Sequence, residues 1–242
     1  MPRDEIPRDA IPRDAMPRDA MPRDAMNYEA ARLHMIESQL RPSKVTDDRV
    51  LDAFSRVQRE LFVPPNLRGV AYVDIGLPVG HGRYLIKPMV AARLLQAVEP
   101  GPKDNALVVA AGVGYEAALL SQLVRGVVAL EENPELARIG RSALVDHRIA
   151  SVTYVEAPAA AGHRARAPYE VILFGGAVEE IPAEIADQLA EGGRMGVVLR
   201  QQGGVGRATL ITRTGGIIAQ RVIFDAATPL LPGFIAKPEF VF

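Results

Sequence analysis

Hydrophobic positions along this chain follow two rhythms that alternate. Short, largely apolar runs, of the kind that fill a buried strand, occur at 106–111, 127–130, 152–155, 169–174 and 194–199. Between them, apolar residues recurring every three or four positions predict helices over 115–123, 134–144 and 183–189, the last closed by Glu191-Gly192-Gly193. Upstream, the same spacing predicts a helix over 27–40, stopped by Arg41-Pro42, and another over 46–57, with Val50, Leu51, Phe54 and Val57 on one face and a cap in Thr46-Asp47-Asp48. A third runs over 89–98. Downstream, two strand-like runs, 208–212 and 217–224, flank Thr214-Gly215-Gly216, a hairpin turn. Strands alternating with helices, then a hairpin, predict an α/β fold: a doubly wound, Rossmann-like sheet with N-terminal helices and a C-terminal antiparallel hairpin.

Three stretches stand outside this alternation. Residues 56–88 are irregular, rich in proline and glycine, and too apolar to be disordered, so they are expected to drape over a site. Residues 157–167 read as a loop. Residues 1–25 are five copies of a pentapeptide, MPRDE, IPRDA, IPRDA, MPRDA and MPRDA. A proline in every copy denies a continuous helix, arginine and aspartate cancel, and one aliphatic residue per copy cannot build a core. A flexible or polyproline-like tail is expected there, with Met26 offering a natural start and 26–242 forming one domain.

The totals narrow the chemistry. The chain has 242 residues, a formal net charge of -1 and no cysteine. That charge argues against general nucleic-acid binding, which rests on many phosphate contacts. Disulfides, thiolate catalysis and cysteine-ligated metal are excluded. The histidines at 34, 147 and 163 have no metal-ligand spacing, and no metal is expected. No apolar run approaches the ~18 residues that suggest a membrane span. The N-terminus has no apolar signal core, so a soluble cytoplasmic protein is expected.

The richest stretch is 106–132, ALVVAAGVGYEAALLSQLVRGVVALEE. Its first apolar run meets Gly112-Val113-Gly114, a helical segment follows, and the second run ends at Glu131-Glu132, about 20 residues past the first glycine. A strand–turn–helix–strand unit of this kind takes the adenosine part of a cofactor: small residues let the backbone approach it, and the acid accepts hydrogen bonds from ribose hydroxyls. The same glycines would equally serve a tight turn packed on a helix. Glu131 also precedes Asn133-Pro134, a helix start at which acids gather anyway. Of the remaining candidates, His81 reads as a turn residue, and 203–206 as a loop without the Lys-Ser/Thr of a phosphate-binding motif. Arg83 and Lys87 read as solvated loop charges able to meet an acidic ligand.

RVQRELFVPPNLRGVAYVDIGLPVGHG, the glycine turn, VVALEENPELA, PYEVILFGGAVEEIP and EGGRMGVV, in that order, make roughly residues 28–225 resemble the protein-L-isoaspartate O-methyltransferases. The resemblance implies S-adenosylmethionine as cofactor, held by Ala110, Gly112, Gly114 and Glu131. It also implies methyl transfer to the carboxylate of L-isoaspartyl residues in damaged proteins or peptides. Three positions depart from the family pattern. Ile86 stands where a serine helps to hold the substrate carboxylate. Val108 and Ala110 replace an acid and the first glycine of the cofactor turn. The acid that faces adenine falls near Pro158, with Glu156 as the nearest substitute. Two other readings remain open: a non-catalytic binding or scaffold protein on the same fold, and a nicotinamide-dependent oxidoreductase, against which the helical lead-in and terminal hairpin argue.

Overall fold

A computed structural model describes residues 27–201 and 203–234; the pentapeptide copies and Met26 lie outside the described residues. The chain opens with α1 (Tyr28–Met35), capped by the Asn27 side chain, and continues as a π-helical turn over Ile36–Leu40. Helix α2 (Asp48–Arg56) follows. Its cap is Asp47 rather than Thr46: the Asp47 carboxylate accepts from Arg49 N, while the amides of Thr46 and Asp47 both donate to the Gln96 side chain.

The stretch expected to be irregular is built. It holds short 3-10 turns at Arg59–Phe62 and Pro65–Val70, then an antiparallel hairpin of β1 (Leu77–Gly80) and β2 (Arg83–Leu85). Helix α3 (Pro88–Ala97) leads to the main sheet. Its strands are β3 (Asn105–Val109), β4 (Gly126–Glu131), β5 (Val152–Glu156), β6 (Tyr169–Val178), β7 (Leu189–Leu199), β8 (Arg207–Thr214) and β9 (Ile217–Asp225). Helix α4 (Tyr115–Leu120) joins β3 to β4, α5 (Pro134–Asp146) joins β4 to β5, and α6 (Ala183–Ala186) precedes β7. The strand order is β5-β4-β3-β6-β7-β8-β9, parallel from β5 through β7 and antiparallel in β8 and β9. This is the Rossmann-like sheet with a terminal hairpin, and Gly215-Gly216, both with positive φ, make the turn between β8 and β9.

Side chains of β3 alternate between two buried layers. Ala106 and Val108 join α1 to α5 on one face, whereas Leu107 and Val109 join Ile185 of α6, Ala159 and Phe234 on the other. On that second face the expected helix over 183–189 stops at Ala186. Leu189 already pairs with Tyr169, so Glu191-Gly192-Gly193 lies inside β7 instead of closing a helix. The loop over 157–167 contains two single 3-10 turns. Strand order reverses between β3 and β6, and the crevice beyond the carboxyl ends of these two strands is where such sheets take ligands.

Candidate active site

At the end of β3 the backbone turns sharply. Ala110 has φ 53°, Gly112 φ 57° and Gly114 φ 86°, so the turn holds a left-handed alanine between strand and helix. Ala111 N donates to Leu130 O at 2.9 Å, tying the turn to β4. Gly114 is needed twice. Besides its φ, a Cβ there would collide with the Tyr154 hydroxyl, which donates to Gly112 O at 3.1 Å. The same hydroxyl leaves no room for a side chain at Gly140 of α5, so the turn is pressed under that helix. Burial, with the Glu131 charge behind it, pushes the Tyr154 phenol up and keeps it a neutral donor.

Glu131, the last residue of β4, is wholly buried. Its Oε2 accepts from Gly112 N at 2.7 Å and its Oε1 from Asn133 N at 2.9 Å. Two backbone amides thus fix the carboxylate and leave its outer face for further donors. That face is taken. Arg83 of β2 donates from Nη1 to Oε2 at 2.9 Å and to Oε1 at 3.2 Å, and from Nη2 to the carbonyl of Ala110. The guanidinium also faces the open side of Gly112 and Gly175 of β6. Gly175 has no room for a side chain either, since a Cβ there would run into Ala110 O. A cavity of about 10 Å³ is left among Arg83, Glu116, Gly112 and Gly175. Drug-sized ligands fill roughly 300–1,000 Å³. The glycine turn, the Glu131 carboxylate and the Arg83 guanidinium thus meet at one nearly closed crevice.

The sequence-predicted residues fall as follows. Ala110, Gly112, Gly114 and Glu131 are brought together. Ile86 is buried at the foot of α3, lines a second crevice of about 10 Å³ with Arg83 and Gly175, and its carbonyl accepts from Arg59 at 2.8 Å. Val108 is fully buried on the helix-facing side of β3. Glu156 is exposed and paired with Arg141 at 2.6 Å, away from Arg83. His81, also left-handed, reaches Glu135 at 2.8 Å at the start of α5. Residues 203–206 lie in the connection from β7 to β8.

Arg83 is the correction: expected as a solvated loop charge, it is buried. The available signal was Leu77, Val79, Arg83 and Leu85 alternating with exposed residues around Gly80-His81-Gly82, a hairpin whose inward positions include an arginine. Glu116, on the first turn of α4, was also overlooked. Desolvation raises its carboxyl pKa, against the pull of Arg59, its own amide, Arg83 and the Ile86 amide.

A model of the protein-L-isoaspartate(D-aspartate) O-methyltransferases (PCMT) matches residues 30–224. A protein-L-isoaspartate O-methyltransferase of Aeropyrum pernix is 44% identical over 169 residues, 68% of this chain and 65% of that protein. The chain thus spans just under two thirds of that relative's length. One of Gloeobacter violaceus is 35% identical over 197 residues, 81% of this chain and 96% of its own. Among solved structures, a protein-L-isoaspartate O-methyltransferase superposes with TM-score 0.73 at 23% identity, covering 84% of this chain and 66% of that one. A Plasmodium falciparum structure described as a complex of such a protein with S-adenosyl-L-homocysteine superposes with TM-score 0.70 at 19% identity, covering 85% and 98%. These two likenesses speak for the fold, and the family model together with the curated relatives speaks for descent. The chain belongs to the protein-L-isoaspartate(D-aspartate) O-methyltransferase family.

Proposed function

We propose that this protein is a cytoplasmic, S-adenosylmethionine-dependent carboxyl methyltransferase whose acceptor is an isoaspartyl residue in a damaged protein or peptide. The observation that carries the reading is the Glu131 carboxylate, locked by the amides of Gly112 and Asn133 at the carboxyl end of β4 with one face turned to the β3–β6 crevice. A carboxylate so fixed suits a pair of ribose hydroxyls. Gly112 and Gly114 would let backbone approach the nucleoside, and Ala110 would do so at the cost of a left-handed side chain.

Bound S-adenosylmethionine supplies a methyl group on a sulfonium centre, open to in-line displacement by oxygen. A carboxylate nucleophile, with a pKa of about 4, is ionised at neutral pH and needs no general base. The protein's task is then positioning and exclusion of water. Ile86 offers the acceptor an apolar side chain in place of a hydroxyl donor, and a carboxylate without its donor loses roughly 1–3 kcal/mol. That is about five- to a hundred-and-fifty-fold in rate.

Calorimetric titration with S-adenosylhomocysteine, followed by methyl transfer to an isoaspartyl peptide, tests the reading. Binding and measurable transfer are expected, and Ile86→Ser is expected to raise the transfer rate at least about fivefold. Binding without transfer in either protein would favour a non-catalytic module. NAD binding without S-adenosylhomocysteine binding would revive the oxidoreductase.

A further inference from the structure

Three N–H contacts place the Arg83 guanidinium where a ribose diol would bind: it donates to both oxygens of Glu131 and to the Ala110 carbonyl, over the open side of Gly112. We infer that Arg83 is an internal ligand of the sugar site, a side chain that closes the nucleoside cradle and competes with the cofactor for Glu131. The inference rests on the cofactor reading above and goes beyond it by assigning a residue that controls access.

Four observations support displacement over permanent structure. Glu131 keeps two backbone donors when the guanidinium leaves, so the carboxylate is not orphaned. Arg83 Nε has no hydrogen-bond partner among the described residues, so the grip is confined to the tip of the side chain. The arginine sits next to a turn, Gly80-His81-Gly82, in which all three residues have positive φ. That turn reaches α5 through a half-exposed pair, His81 with Glu135. What fills the cradle opposite Tyr154 is thus a long side chain on a short hairpin.

A site whose competent form is a minor state binds with an affinity reduced by the fraction open. Hydrogen bonds between charged groups hold the closed form in at least about tenfold excess. The replacement ligand must bring paired hydroxyl donors to one carboxylate, as the vicinal diol of a ribonucleoside does. A 2′-deoxy nucleoside lacks one of the pair.

The test is calorimetry on the full chain, wild type against Arg83→Gln, with S-adenosylhomocysteine as titrant. Glutamine is shorter and uncharged, and retains one amide donor. The expected result is binding at least about tenfold tighter in Arg83→Gln. Equal affinity in the two proteins would overturn the internal-ligand role while leaving the cofactor reading intact. Failure of both proteins to bind would overturn both. Should Arg83→Gln fail to fold, the wild type still decides, through nitrogen-15 NMR of its arginine side chains. Added S-adenosylhomocysteine should abolish the protected Arg83 guanidinium signal, and binding that leaves that signal unchanged would overturn the inference.

Discussion

Arg59 and Arg83 both leave the segment between α2 and α3, and both are buried, yet they hold different things. Arg59 has no exposed surface. It donates at 2.8 Å to the carbonyls of Ala71 and Ile86, and its guanidinium lies 4.8 Å from the centroid of the Tyr115 ring. Both hydrogen bonds go to neutral carbonyls of its own segment, although the buried Glu116 carboxyl also feels its charge. Arg83 instead reaches across to the charged end of β4 and to the carbonyl that ends the β3 turn. One arginine folds the segment onto itself, and the other lays that folded segment against the crevice. A buried cation bonded to its own loop is architecture. One bonded to a carboxylate that already has two backbone donors is an occupant.

The largest expected effect separates them by stability. Arg59→Ala should cost about 3–5 kcal/mol, because two buried carbonyls lose a charged donor and a large side chain leaves a void. Arg83→Gln should cost less, about 1–3 kcal/mol, since Glu131 keeps the Gly112 and Asn133 amides. Urea unfolding of the two variants measures this. If Arg83→Gln proves the more costly, the distinction between architecture and occupant is wrong.

This contrast was only half visible in the chain itself. The 106–132 unit could be read because each of its parts is local: an apolar run, two glycines, a helix-forming segment and an acid at the right offset. Its strand limits came within a residue or two, and Glu131 did fall at the end of β4. The 56–88 segment could not be read, because β1 and β2 are four and three residues long, too short for a period to declare itself. The Arg83–Glu131 pair joins residues 48 positions apart, and no spacing rule predicts such a meeting. Likewise, Glu191-Gly192-Gly193 carries turn chemistry, but the pairing of Leu189 with Tyr169 draws it into a long strand. There tertiary pairing overrode local preference.

A smaller effect sharpens the comparison at the turn both arginines help to frame. Ala110 adopts φ 53°, a region that costs an L-residue with a Cβ roughly 1–2 kcal/mol. Ala110→Gly removes that strain but gives the unfolded chain more freedom, which takes back about 0.4–1 kcal/mol. A net gain of up to about 1 kcal/mol is expected, read as a higher unfolding midpoint. A loss would mean that the methyl, which is buried beside β6, contributes more packing than its backbone costs.

The smallest effect concerns the carboxyl that lies between the two arginines. Glu116 is buried on α4, and its Oε1 has no hydrogen-bond partner among the described residues. Desolvation raises its pKa in the folded protein, while Arg59 and then Arg83 oppose the shift. A carboxyl raised on folding binds more protons in the native state than in the unfolded one. Its contribution to stability is therefore fully present below the unfolded pKa of about 4.3 and is lost as pH rises through the folded value. Glu116→Gln replaces the protonated acid by a neutral amide of nearly the same shape. It should leave stability almost unchanged at pH 4 and raise it increasingly toward pH 8, as the wild type loses its proton on unfolding and the variant has none to lose. Denaturant midpoints measured across that range decide it. A variant destabilised more at pH 8 than at pH 4 would show instead that Glu116 is held ionised by the two guanidinium groups, and that Arg59, like Arg83, is bound to a charge.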